Sequence, residues 1–434
     1  PSRQLLDSVV SDRPALMFDA DGRAVWVNTK ALRAAGITRR TPDPPEGSIV
    51  LDPRSGEPAG VLQGSAGALV AKLIPVASEA QRAAALRHAI VRANALGITS
   101  VQNTDDSVDA FELYDSLRRS GDLTVRIYSA IPVSRPLTEG NLARLDEIRQ
   151  KYPDDPLFKA GALSIRLDGT IAERTAALLE PYESDTAPDG DAGETSFGPD
   201  DLNRSVRLAD AAGWQIITQA TGDRAVRAAL NAYAHAARSN RPPARGRRHR
   251  IENLALVDAA DLHRFEPLGV VASMQPSRGQ PTPQRVEMLS RQLGRERSER
   301  AFALGSVSEA TRLVLGSAWP AGALDPLLGL HVATTSDAPD GVDDRGAAGA
   351  ERVTLKNAIA AYTSSAAWAS FDEQRKGSIS AGMLADMVVL SEDIFETRTP
   401  RLTSVSVAVT IFDGKIVYRR DPRSETEPVP SLQD

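Results

Sequence analysis

Cysteine is absent from the 434 residues, which excludes disulfides, thiol catalysis and cysteine-ligated metal. Histidine is scarce, with five residues: His88, His235, His249, His263 and His331. None of them forms an HxH or HExxH pair, so no metal site is legible from histidine spacing. No apolar run approaches the ~18 residues of a membrane span, and no membrane is expected as partner. The net charge of −6 argues against nucleic acid as the main partner. The basic run Arg245–Arg250 therefore reads as a solvated loop. No G-x-S-x-G elbow occurs, which leaves serine-histidine catalysis without a frame. The chain starts Pro-Ser-Arg-Gln without a signal-peptide pattern, and the expected location is cytoplasmic.

What the chain does have is an alternation of strand-like and helix-like runs, the pattern of a parallel α/β architecture. Strands are predicted at 97–102, 124–130, 162–167, 214–219, 248–252, 270–274 and 312–316. Helices are predicted at Ser78–Leu96, Asp106–Ser120, Leu142–Lys151, Pro199–Ala212 and Arg224–Ser239. Seven strands in βα order are one short of a closed barrel. Residues 1–76, rich in Pro, Gly and Asp, read as loop with short hairpins and as a lid-like insertion. Residues 77–368 would be the barrel, and 369–434 a small β domain. Its strands are expected at Lys376–Ile379, Ala385–Leu390, Val405–Phe412 and Lys415–Tyr418, with Asp413-Gly414 as a hairpin turn and a frayed tail from Asp421.

Several segments together resemble the YtcJ-like branch of the amidohydrolase superfamily, the amidohydrolase-3 group that includes N-substituted formamide deformylases. The carrying residues are Trp26–Leu32, Thr41–Pro45, Asp168-Gly169-Thr170 and Arg174–Tyr182. Others are Gly222–Val226, Arg250-Ile251-Glu252, Gln275-Pro276, Asp325-Pro326-Leu327, Lys376–Ile379 and Leu384-Ala385-Asp386. The resemblance runs collinearly over almost the whole chain. It implies an α/β fold, a (β/α)8 TIM-type barrel with a small β-sandwich domain, and hydrolysis of amide-like C–N bonds at a divalent metal. The barrel's strand 1, which carries an HxH pair in the family, is not expected in this chain. Either a portion of the protein preceding Pro1 or a companion chain would supply it.

The family's remaining metal ligands are a carboxylated Lys, two His and an Asp at successive strand ends. At the matching positions stand Ser164, Gln219, Asn253 and Ala318. A neutral amide is a weak zinc ligand and an alanine is none. Further polar family positions are altered to Arg23, Gly64, Asn103 and Arg278. The leading expectation is a pseudoenzyme with no metal and no cofactor, acting as a small-molecule binder or a non-catalytic subunit. The alternative is a metal-independent lyase, cyclase or hydrolase using Asp168 or Glu252 as acid or base. The third reading is an amidohydrolase with relocated ligands. Glu252 reads as an inward carboxylate needing a partner such as Arg250 or Arg174. Arg23, Arg174, Asp223, Arg278 and Trp319 are the substrate-binding candidates, with an anionic small molecule favoured by the arginines. A homo-oligomer is admitted by this reading.

Overall fold

The computed structural model describes residues 1–19, 24–45, 47–183, 190–335, 351–396 and 399–421. Two compact units emerge, Pro1–Arg82 and Ala83–Asp434.

In the first unit, strands β1 (Leu16–Phe18), β2 (Ala24–Val27), β3 (Gly47–Leu51) and β4 (Pro58–Gly64) form an antiparallel sheet in the order β1-β2-β4-β3. Val25, Val27, Ile49 and Leu62 pack with Ala31 and Leu32 of helix Thr29–Ala34. Asn28 explains why the Val-Asn-Thr-Lys motif folds as it does. Its Oδ1 accepts from the Ala31 and Ala15 N–H groups at 2.9 and 3.0 Å, capping the helix and pinning the segment before β1. Its Nδ2 donates to the Val10 and Arg13 carbonyls at 2.9 and 2.8 Å, so this buried amide is fully used.

The second unit is built on seven parallel strands: β5 (Ser100–Asn103), β6 (Arg126–Pro132), β7 (Phe158–Arg166), β8 (Gln215–Ala220), β9 (Arg250–Asn253), β10 (Val271–Met274) and β11 (Leu313–Leu315). They pair in sequence order, with β5 and β11 as the two edges. This is a curled barrel-type sheet, and all seven strands expected from the sequence are present. The five helices anticipated between them are also present, as Glu79–Ala95, Val108–Ser120, Glu139–Lys151, Pro199–Ala211 and Asp223–Ser239. Leu163, Ile165, Ile216 and Ile251 join the main core with Phe111, Val206, Val226 and Leu230 from helices. Tyr128, Ala130, Ala162 and Ile217 make a separate small cluster on the other face, inside the curl.

A three-stranded antiparallel sheet follows, β12 (Met387–Leu390), β13 (Val407–Phe412) and β14 (Lys415–Arg419). Asp413 and Gly414 turn the last hairpin with φ of 51° and 77°. The tail from residue 422 lies outside the described residues. One expected strand, Lys376–Ile379, is corrected: the chain turns there instead. Gly377 adopts φ 97°, and a Cβ on it would stand 2.7 Å from Ala367 Cβ. Lys376 is thereby directed inward, its ammonium 3.2 Å from Ser100 Oγ and 3.4 Å from Asp372, and burial pushes its pKa down.

The small sheet is tied to the parallel one by a buried ion pair. Arg126 of β6 donates from Nε and Nη2 to the two oxygens of Asp386 at 2.6 and 2.8 Å, and from Nη2 to Asp413 at 3.1 Å. Its guanidinium also lies over the Phe412 ring, 4.7 Å from the centroid. Asp386 side-chain exposure is 6%, so its charge depends on Arg126. Arg126→Met is expected to cost about 3–5 kcal/mol in urea unfolding, because it strands a buried carboxylate. Adding Asp386→Asn to that variant should recover part of the loss.

Candidate functional site

Parallel register places the interior side chains in rows. Ser164 of β7 is level with Ile217, Arg250 and Val271; one step further along lie Arg166, Gln219, Glu252, Ser273 and Val314. Because side chains alternate, Arg250 and Glu252 share a face of β9. Arg250 donates to Glu252 Oε1 from Nε at 3.0 Å and from Nη2 in a shorter contact. Gln275, just past β10, donates to Glu252 Oε2 at 3.0 Å. All three are buried, with Glu252 at 5% exposure, so the carboxylate takes its hydrogen bonds from these two side chains in place of water. Between the two partners anticipated for Glu252, the structure selects Arg250; Arg174 donates instead to Gln292 Oε1 at 2.7 Å. Arg250 Nη1 is buried with no hydrogen-bond acceptor among the described residues.

Ser164, Gln219, Asn253 and Ala318, the four positions expected to be degenerate, stand at or near strand ends. Ser164 is buried, while Gln219, Asn253 and Ala318 are partly exposed. Asn253 ends β9 with φ 80°, followed by Leu254 at 49°, and Ala318 follows β11 with φ 55°. Three non-glycine residues thus hold left-handed conformations in loops at strand ends, where backbone strain needs surrounding support. Among the described residues no group of three His, Asp or Glu side chains is placed to hold a metal ion. A hydroxyl, two neutral amides and a methyl do not fit the donor set of a zinc or iron centre. The histidines are elsewhere: His88 and His263 are exposed, His235 is partly buried, and His331 is buried in helix Pro326–Thr335. His249 accepts from Ile216 N–H on Nδ1 at 3.1 Å and faces Asp210 with Nε2 at 3.1 Å. Burial pushes its pKa down, so it is a neutral structural histidine.

Asp168 holds the segments after β7 and β8 together. Oδ1 accepts from Thr221 N–H at 2.8 Å, and Oδ2 accepts from Ala177 and Gly222 N–H at 2.9 Å each. Burial outweighs those donors and lifts its pKa to about 6. Asp223 does a similar job at the start of helix Asp223–Ser239, accepting from Leu179 N–H at 2.8 Å, and burial raises its pKa. Both carboxylates are therefore committed to backbone in the chain segments after β7 and β8. Of the other candidates, Trp319 is 46% exposed after β11, and Arg278 is partly buried in the turn Pro276–Gly279. Arg23 lies outside the described residues. Arg166 is exposed and pairs with Asp105 at 2.9 Å.

Gln275 and Ser273 were not singled out as interior site residues from the sequence. Gln275 was visible as part of the Gln-Pro motif, but its contact with Glu252 depends on neighbouring-strand register. Gln102 was missed as well; its Nε2 donates to the Ala366 carbonyl at 2.6 Å, linking β5 to helix Ser364–Ala369.

A sequence model described as the amidohydrolase family matches residues 1–418. YtcJ of Bacillus subtilis (strain 168), whose name places it with the amidohydrolases, is 29% identical over 96% of this chain and 76% of its own length. N-substituted formamide deformylase of Arthrobacter pascens is 26% identical over 97% of this chain and 76% of its own. In fold, the chain is similar to an uncharacterized metal-dependent hydrolase from Pyrococcus horikoshii OT3. The TM-score is 0.72 at 20% identity, covering 92% of this chain and 75% of that one.

Two outcomes test the geometry. Asp168 binds its proton more tightly folded than unfolded, so its contribution to stability is fullest below the ordinary value of 3.8 and is lost as pH rises to about 6. The stability difference between the protein and Asp168→Asn, read from urea midpoints, should fall across that window by up to about 3 kcal/mol and be flat above it. Ala318→Gly should stabilise the chain by about 0.5–1 kcal/mol, since glycine holds a positive φ without strain; a raised melting temperature is the readout.

Proposed function

The chain belongs to the amidohydrolase family, and from that premise we propose that it is a family member working without the metal centre. It binds a small molecule at the strand ends, or serves as the non-catalytic subunit of an assembly. The observation that carries this reading is the donor set: Ser164, Gln219, Asn253 and Ala318 at the ligand positions of a preserved frame. The loops that would present ligands keep special backbone conformations at Asn253 and Ala318, yet their side chains have little or nothing to give a cation. The interior polarity is used differently. Glu252 is occupied by Arg250 and Gln275, so it orders the interior around a buried cation.

The relative named as a deformylase suggests C–N bond hydrolysis for this chain too. That chemistry in metal form needs a Lewis acid to lower the pKa of water, and the residues at these positions do not fit one. A second reading, a metal-independent lyase, cyclase or hydrolase, draws on Asp168, whose value near 6 suits proton transfer. Its three backbone donors support it less, because a proton acceptor would have to leave them.

Metal content measured by mass spectrometry, on protein purified without chelator or added metal, tests the proposal. Zinc, iron, manganese and nickel each well below one per chain is the expected outcome. One or two metals per chain would overturn it and return the chain to amide or formamide hydrolysis.

A further inference from the structure

At the opposite end of the strands, where β9 and β11 begin, arginines and aromatic rings alternate. Arg245 lies over the Phe371 ring, 4.0 Å from its centroid, and Arg248 lies over the same ring at 4.7 Å. Arg248 also lies over Trp368 at 4.1 Å, and Arg312 over Trp368 at 4.4 Å. The run Arg245–Arg250, expected to be a solvated loop, is therefore only partly one, because Arg248 turns in among the rings. Arg248 donates to both oxygens of Glu373, from Nη2 at 2.6 Å and from Nη1 at 2.9 Å. These bonds hold the Glu373 carboxyl below the usual range, and the Arg312 charge adds to them. Two positive charges are left over. Arg245 and Arg312 are exposed, and among the described residues no carboxylate lies within ion-pair distance of either. Arg245 gives one N–H to the Gly213 carbonyl at 2.9 Å. The acids of neighbouring elements are engaged elsewhere: Asp146 by Arg149, Asp210 by Arg247 and Asp372 by Lys159. Two members of the ladder also hold left-handed backbone, Arg248 at φ 49° and Phe371 at φ 62°. Bulky side chains rarely adopt that conformation, and where it is kept it gathers at functional surfaces.

We propose that this arginine–aromatic ladder is a docking surface for an acidic peptide segment of a partner protein, whose carboxylates are taken by Arg245 and Arg312. Stacking holds each guanidinium plane in place, so less freedom is lost when its fork meets a carboxylate. Two rings and the satisfied Arg248–Glu373 pair lie between the two ends. That spacing suits carboxylates set along a chain better than one compact dianion. A nucleic acid would meet a chain of net charge −6, whose repulsion grows with the length of the polyanion. The inference goes beyond the strand-end reading and does not depend on the state of the metal positions.

Fluorescence anisotropy of a labelled peptide of about ten residues, alternating Glu with Ser, tests it on the full chain against the same peptide with Gln for Glu. Saturable binding with a Kd on the order of 100 µM is expected in about 20 mM salt, weaker by about tenfold in about 300 mM salt. The Gln peptide should bind at least about tenfold more weakly. Arg245→Gln and Arg312→Gln should each weaken the Glu peptide several-fold, and together by about tenfold or more. Arg39→Gln, an equal loss of charge at an exposed arginine of the first unit, should leave binding unchanged. Arg245→Lys keeps the charge without the stacked fork and is expected to bind several-fold more weakly. Should an Arg245 variant lose its fold for want of the Gly213 contact, Arg312→Gln carries the test, since no hydrogen bond of its side chain is lost among the described residues. No saturable binding at about 1 mM peptide overturns the assignment, as does an equal loss in Arg39→Gln. So does an oligothymidylate or inorganic phosphate that displaces the peptide at matched ionic strength. The metal measurement is independent of this titration. A metal-loaded chain that holds the peptide through Arg245 and Arg312 would sink the earlier proposal and keep this surface; a metal-free chain indifferent to the peptide would do the reverse.

Discussion

Charge taken inside a sheet must find its counter-charge there, and most of the second unit is arranged around that constraint. Arg250 and Glu252 are two residues apart on β9, so strand alternation puts both on the inner face whatever else happens. Neither could be buried alone without a cost of several kcal/mol. Together, with Gln275 from the neighbouring strand end, they form a group that also fixes how β9 and β10 lie at their C-terminal ends. The same logic recurs elsewhere. Arg126 is matched by Asp386 and Asp413, and Lys159 by Asp372 and Asp154. The Asp372, Asp386 and Asp413 pairs join the parallel sheet to the small antiparallel one and to the segment that leads into it.

At the strand ends the polar groups serve backbone. Asp168 takes three N–H groups from two loops, and Asp223 fastens Leu179 to the start of its helix. A frame held so firmly can keep left-handed residues such as Asn253, Leu254 and Ala318 in place. On the proposed reading, such a frame stands without the donor set of a metal centre. The loops are held by interactions that do not involve the ligand positions, so changing those side chains leaves the frame standing.

Seven strands and five helices were legible because each carried its own periodicity or its own run of β-branched residues, and the family motifs placed them in order. Strand order was enough to set Ser164 within β7, Gln219 within β8, Asn253 at the end of β9 and Ala318 after β11. Lys376–Ile379 misled because Gly377 there serves a close approach to Ala367, a contact between distant segments that no local pattern announces. The helices after β10 were not anticipated either. Pro283–Glu299 contains Gly294 at φ 73°, which breaks its apolar period in the middle.

Sequence alone determined the order of strands and helices, the chemical nature of the side chains at the strand ends, and the need of Glu252 for a cation. Those are local facts: alternation, offset and the cost of burying charge act within a few residues. Tertiary structure alone decided that Arg250 and not Arg174 answers Glu252, and that Gln275 completes the group. It also decided that Asp168 faces backbone. Each of these depends on which strand or loop comes alongside, and parallel strands joined by long crossovers meet only when the whole sheet has formed.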